Sequence, residues 1–60
     1  MMAILLLHRS SGTISLEAGS AEDYASDHGL DAASAVLDGD ACVKLLRNGD
    51  WVATAQRLAL

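Results

Sequence analysis

Apolar residues are spaced along the first third of the chain in the way that antiparallel strands require. An apolar run predicts a buried strand over Ala3 to His8, and the small polar residues at positions 10–12 are typical of a turn. The next segment, Thr13 to Ala18, alternates, and the apolar side chains on one of its faces are Ile14, Leu16 and Ala18. This period of two predicts a β-hairpin from Ala3 to Ala18 with one wet side.

A helix start follows the first hairpin. Ser20 with Asp23 three residues later is close to a capping box, and an acidic residue in the first turn suits the helix dipole. The helix is predicted to end near His28, because Gly29 is a natural left-handed terminator.

A second short helix or turn is predicted from Asp31, as its cap, through Leu37. The two helical segments resemble a helix-turn-helix motif, and the positions that carry the resemblance are Tyr24, Ala25, Gly29 and Leu30. The second helix of such a motif must present donors to DNA, but residues 31–38 contain no Lys or Arg. A winged-helix-like transcriptional regulator, with the following hairpin as its wing, is therefore an alternative and not the first hypothesis.

The strongest local signal in the last third is Asn48 with Gly49, the pair favoured in a two-residue hairpin turn. That turn predicts the cross-strand pairs Arg47 with Asp50, Leu46 with Trp51, Leu45 with Val52 and Val43 with Thr54. A helix from Ala41 to Asn48, capped by Asp40 and ended by Gly49, stays open as the competing interpretation.

The predicted fold class is α+β, with a small antiparallel sheet built from two β-hairpins in the order ββ-α-ββ. The hairpins span Ala3 to Ala18 and Ala41 to Ala55, and the helical segment between them packs on one face of the sheet. Residues 1–60 are predicted to form one small domain.

Short length limits how this chain can be stabilised. A chain of 60 residues buries little surface when it folds, and the lone Cys42 excludes an internal disulfide. Hydrophobic residues make up 52% of the sequence, but none of them is Phe. A second copy or a partner protein would supply the missing burial, so a monomer and an assembly with a second copy or an obligate partner are equally open.

The acidic residues are concentrated in one part of the chain. The stretch from Glu17 to Asp40 holds seven of the eight acidic residues and neither Lys nor Arg, and the net charge is −4. Such a balance disfavours nucleic acid and anionic membranes, which require clustered basic residues. The apolar run at the start is too short to cross a bilayer and has no leading positive charge, so a cytoplasmic location without membrane attachment is expected.

An acidic face suits a basic surface on another protein, although a solvated face that keeps a small protein soluble has the same composition. Trp51 is a candidate interface anchor, and its competing role is the main large side chain of the core opposite Leu46. The candidate partner-binding residues are Glu22, Asp23, Asp27, Asp38, Asp40 and Trp51.

Catalytic, metal and cofactor sites are not predicted. Asp38 and Asp40 resemble the start of a calcium loop whose remaining ligands are missing, and the spacing of His8, His28 and Cys42 matches no zinc pattern. No nucleophile elbow or glycine-rich oxyanion loop accompanies the serines, so no enzymatic activity is expected.

The function predicted from the sequence is a non-catalytic interaction module that docks an acidic helical face on a basic surface of a partner protein. In format, as a small acidic single domain, the chain resembles inhibitors encoded by phages and plasmids, including anti-CRISPR proteins, with no shared motif. A structural subunit that pairs through a sheet edge is a further alternative.

Overall fold

The computed structural model describes residues 1–59, which form five β-strands and one α-helix. The elements in chain order are β1 (Met2–His8), β2 (Ile14–Ala18), α1 (Ala21–Asp27), β3 (Asp31–Leu37), β4 (Asp40–Arg47) and β5 (Asp50–Ala59). The antiparallel sheet with a helical segment agrees with the prediction. The chain order does not, because it is ββ-α-βββ instead of ββ-α-ββ.

All five strands belong to one antiparallel sheet in the order β2-β1-β5-β4-β3. Helix α1 leaves the edge strand β2, crosses one face of the sheet and delivers the chain to β3 at the opposite edge. No helix or strand of residues 1–59 covers the other face. We call that uncovered side the open face.

The hydrophobic core lies between α1 and the sheet. Its members are Ile4, Leu6, Ala21, Ala25, Val43, Leu45, Ala53 and Ala55, with Tyr24 and Leu30 packed at its margin. The largest fully buried side chains are Ile4, Leu6 and Leu45. Alanines on both layers allow the helix to approach the sheet closely, so a core without large rings can still be packed densely.

Strand β3 consists of residues for which the sequence predicts a helix or turn. It pairs with β4 along its whole length, and the turn between the two strands is formed by Asp38 and Gly39. Both residues have positive φ, 51° and 83°, as a two-residue hairpin turn requires. Pairing with β4 outweighs the helix preference of the alanines in this segment. The helix prediction over Asp31 to Leu37 is therefore wrong, and residues 1–59 lack the second helix of a helix-turn-helix motif.

The hairpin predicted around Asn48 and Gly49 is confirmed. The two residues have φ of 51° and 85°, and Arg47 faces Asp50 across the turn. The segment from Ala41 to Asn48 therefore enters the turn as a strand, and the competing helix is excluded.

The register of this hairpin departs from the prediction after the Leu46–Trp51 pair. A β-bulge makes Leu45 pair with Ala53 instead of Val52, and Val43 then pairs with Ala55 instead of Thr54. The additional residue in β5 places Ala53 and Ala55 in the core. Trp51 and Thr54 face away from α1, on the open face.

The alternation predicted for β2 is present, but its apolar side is uncovered. Ser15 pairs with Leu6 and therefore lies on the side of α1, whereas Ile14 and Leu16 lie on the open face. They are 63% and 59% exposed. Because no helix or strand of residues 1–59 covers the open face, these apolar residues of β2 are exposed to solvent.

Ser20 caps α1 as the sequence predicts. Its Oγ accepts a hydrogen bond of 3.1 Å from the backbone N–H of Asp23, and His28 is the C-cap residue followed by Gly29 with φ of 66°. With seven residues, α1 is too short to be stable alone, so the cap and the packing of the helix on the sheet together maintain it.

We expect Ser20→Ala to lower the free energy of unfolding by about 1 kcal/mol, because the N–H of Asp23 loses its acceptor. Urea unfolding followed by circular dichroism measures the change. Ser26→Ala, at an exposed position of the same helix, is the matched control and should be neutral or slightly stabilising. Equal losses in the two variants would contradict the role of the cap.

Candidate interaction surfaces

The outward side of α1 is acidic because the inward side is fixed by packing. Ala21 and Ala25 are buried against the sheet, which directs Glu22, Asp23 and Asp27 toward solvent. We call these three carboxylates the acidic helix surface. Helix α1 thus brings together half of the predicted partner-binding residues.

A single basic side chain within residues 1–59 is bonded to the acidic helix surface. The guanidinium of Arg57 donates a hydrogen bond of 2.9 Å to Glu22, and both side chains are more than half exposed, at 62% and 52%. An exposed ion pair of this kind contributes little to stability. The carboxylates of Asp23 and Asp27 form no hydrogen bond or ion pair with residues 1–59, so most of the negative charge is uncompensated.

Asp38 and Asp40 lie apart from the acidic helix surface. Asp38 occupies the turn between β3 and β4, and Asp40, which pairs with Leu37, begins β4. Both residues line a groove of the open face. The six predicted site residues are therefore not one patch: the structure separates them into a helical group and two groups on the other side of the sheet.

Trp51 belongs to the open face. It pairs with Leu46 as predicted, but it is not a member of the core cluster, so its predicted role as the main large side chain of the core is wrong. Its indole N–H donates hydrogen bonds of 3.0 Å to the carbonyl of Ala53 and to the hydroxyl of Thr54. These bonds fix the orientation of the ring on its own strand.

Two cations lie over the Trp51 ring. The guanidinium carbon of Arg9 is 4.5 Å and the ammonium nitrogen of Lys44 is 4.3 Å from the ring centroid. Cation–π contacts of this type stabilise exposed aromatic rings and hold the charged groups near them. The open face therefore has a basic end around Trp51, a feature that depends on tertiary structure and that the sequence pattern does not reveal.

The open face is apolar between its charged ends. A groove with a volume of about 290 Å³ has Leu5, Leu7 and Ile14 at one side and Leu37 with Asp38 at the other. These residues belong to strands that are not neighbours, so the twist of the sheet must curve the open face around the groove. Leu7, Ile14 and Leu16 are 48%, 63% and 59% exposed.

The structure brings one serine and one histidine together. His8 Nε2 lies 2.8 Å from Ser15 Oγ across β1 and β2. Within residues 1–59, no carboxylate is bonded to the other ring nitrogen, so the pair has no group that orients the imidazole as a general base. The contact serves as a polar cross-strand pair.

The histidines and the cysteine do not converge. His8 contacts Ser15, His28 stacks on Tyr24 with a centroid distance of 4.0 Å, and Cys42 is buried in β4. Residues 1–59 contain no group of three or more His, Cys, Asp or Glu side chains that could hold a metal ion. The described part of the chain likewise has no helix long and apolar enough to span a bilayer.

Comparison with known protein families, with curated proteins and with solved structures finds no match to this chain. Function is therefore inferred from the two surfaces on opposite sides of the sheet, the acidic helix surface and the open face.

Proposed function

We propose that this protein is a non-catalytic interaction module that docks the acidic helix surface on a basic surface of another protein. One observation carries the proposal: Glu22, Asp23 and Asp27 project outward from a short helix whose other side is buried, and Arg57 alone is bonded to them within residues 1–59. A rigid element with uncompensated like charges is suited to electrostatic recognition.

The positions of the other basic residues support this proposal. Arg9 and Lys44 lie over Trp51 on the open face, and Arg47 faces Asp50 at the hairpin turn. Arg9 and Lys44 are thus on the side of the sheet opposite α1, and Arg47 has Asp50 beside it, so the negative field of the acidic helix surface is weakly opposed. Such a field accelerates association with a basic partner and excludes acidic ones.

Docking of this kind leads directly to inhibition when the basic surface of the partner normally holds a polyanion. Carboxylates on a helix would occupy the positions of phosphate groups and compete with them for the same Lys and Arg side chains. An inhibitor of a nucleic-acid-binding protein, of phage or plasmid type, is the specific form of the proposed function.

A structural subunit of a larger assembly is the second candidate, and the edge strand β3 favours it. This strand has no Lys, Arg or Pro between Asp31 and Leu37, and it lacks the bulge found in the β4–β5 pair. Its outer backbone groups are therefore unprotected against pairing with a strand of another chain.

The experiment that tests the proposed function is affinity capture from an extract of the source cells, with reversed charges on α1. We expect the double variant Asp23→Lys, Asp27→Lys to lose the partner that the native chain retains, because two attractive charges become repulsive. The captured protein should also be released by increasing salt and by a competing polyanion such as heparin.

The matched control is Glu17→Lys with Asp50→Lys, which changes the net charge by the same amount at sites outside α1. Circular dichroism should be native for both double variants, since all four positions are exposed. Retention of the partner by the helix variant, or equal loss in the two variants, would contradict docking through α1.

A further inference from the structure

More leucine and isoleucine side chains are found on the open face than in the covered core. Apart from Ile4, Leu6 and Leu45, the core cluster consists mainly of alanines, whereas strand alternation puts Leu5, Leu7, Ile14, Leu16, Leu37 and Leu46 on the open face. A sheet with two apolar faces requires a layer on each side. In residues 1–59, one helix supplies one layer.

We propose that the missing layer is the open face of a second copy of this chain. The assembly is a two-fold symmetric sandwich in which two sheets are inside and the two α1 helices are outside. This inference goes beyond the proposed function and does not rest on it, because α1 and the open face are on opposite sides of the sheet.

The rows of side chains across the open face are self-complementary. One row contains Leu7, Ile14 and Thr54, and the next row contains Leu5, Leu16 and Gln56. A two-fold axis that runs across the strands between these rows places each row over the other row of the second copy. Leucines and isoleucine then meet one another, and the hydroxyl of Thr54 meets the amide of Gln56.

The same operation brings two opposite charges of the open face together. Asp40 and Lys44 lie on the same face of β4, four residues apart. Asp40 is at the start of the strand, and the Lys44 ammonium lies over Trp51, toward the other end of the strand. Exchange of the two ends brings Asp40 of one copy beside Lys44 of the second copy, twice per dimer. This charge complementarity favours a second copy over an uncharged apolar partner.

The stacking of twisted sheets and the area of the open face are consistent with this arrangement. Sheets with the same right-handed twist stack with nearly aligned strands about 10 Å apart. Five strands with the length of the seven-residue β1 form a face about 19 Å wide and about 24 Å long. Two such faces bring together about 900 Å² of projected area, and side-chain relief raises the buried surface toward the range of stable interfaces, about 1,200 Å² and above.

The test is the mass in solution, measured by sedimentation equilibrium over a wide range of protein concentration. The native chain should approach twice the monomer mass of 6.2 kDa. Ile14→Lys should weaken the dimer by about a hundredfold or more, because it buries an unpaired charge. A native chain that remains at the monomer mass at its highest soluble concentration would overturn the proposal and leave the open face to a different protein.

Val36→Lys is the matched control. Val36 and Ile14 are both β-branched, both on edge strands and similarly exposed, at 69% and 63%, but Val36 points to the side of α1. It should retain the dimer. Dissociation by both variants, or by neither, would exclude the open face as the interface.

Exchange of the charges of Lys44 and Asp40 tests the relative orientation of the two copies. This test remains informative if Ile14→Lys fails to fold. Lys44→Glu alone should weaken the dimer at least tenfold, because it faces Asp40 of the second copy, and adding Asp40→Lys should restore it. The two residues are four positions apart on one extended strand, so restoration reports contact between copies. Absence of weakening, or of restoration, would exclude the two-fold axis that runs across the strands.

Discussion

Leu6→Ala is expected to lower the free energy of unfolding by about 3 kcal/mol. Leu6 is completely buried, on a central strand that has β2 and β5 as neighbours, and it belongs to the cluster beneath α1. A chain of 60 residues has a total stability of about 5 kcal/mol, so most of its margin would be lost. Urea unfolding at 25 °C, followed by circular dichroism, measures the loss.

Leu7→Ala is the matched control, with the same chemical change one residue along the same strand. Leu7 is 48% exposed on the open face, so its truncation should cost less than about 1 kcal/mol in a dilute, monomeric sample. At concentrations where the dimer forms, Leu7→Ala should cost more, since the dimer also buries Leu7. Equal costs for the two variants in dilute solution would contradict the assignment of the two faces.

Elements defined by local chemistry are predictable from the sequence of this protein. Ser20 with Asp23 fixes the start of α1, and Gly29 follows its end, because capping involves atoms within a few residues. Asn48 and Gly49 fix the hairpin of β4 and β5 for the same reason, since both adopt the positive φ that the turn needs.

The structure of β3 cannot be predicted from local sequence signals alone. Asp38 with Gly39 is the same kind of turn signal as Asn48 with Gly49, but the alanines before it are good helix formers, and a capping residue, Asp31, precedes them. What decides the outcome is pairing with β4, a tertiary interaction between segments. The bulge at Val52 likewise depends on how β5 packs, so it was not visible in the spacing of apolar residues.

One of the two candidate surfaces follows from local sequence signals, and the other depends on tertiary structure. Glu22, Asp23 and Asp27 share one helix, so their common surface follows from helix periodicity. Trp51 shares a face with Leu46, as the predicted pairing implies, but the side of the sheet to which that face belongs depends on the path of α1. The basic end of the open face depends on the approach of Arg9 and Lys44 from two other segments. The exposure of Ile14 depends on the path of α1, which strand alternation alone does not define.

A dimer through the open face would affect binding through the acidic helix surface. A dimer through the open face would display one acidic helix surface on each outer side, so it could bind two copies of a basic partner. When both sites can be engaged on one target, the second binding event becomes intramolecular and increases the overall affinity without new contacts. Loss of the dimer would then weaken capture of a repetitive target, whereas reversal of Asp23 and Asp27 would abolish capture of any target.

The close approach of α1 to the sheet leads to the second large expected effect. Ala25→Leu should lower the free energy of unfolding by about 2–3 kcal/mol, because Ala25 is 3% exposed against the sheet and the added atoms have no space. Leu and Ala differ little in helix propensity, so the loss reports packing between layers and not the helix itself. Urea unfolding with circular dichroism measures it, and the fluorescence of native Trp51, on the open face, should be unchanged.

Ser26→Leu is the control for this substitution, at the next position of the same helix. Ser26 is exposed, and a leucine there should change the unfolding free energy by less than about 0.5 kcal/mol. A variant at Ala25 that is as stable as the one at Ser26 would mean that α1 can move away from the sheet without cost. In that case the alanines of the core would not determine the distance between helix and sheet, and the acidic helix surface would lack the rigid support that electrostatic docking requires.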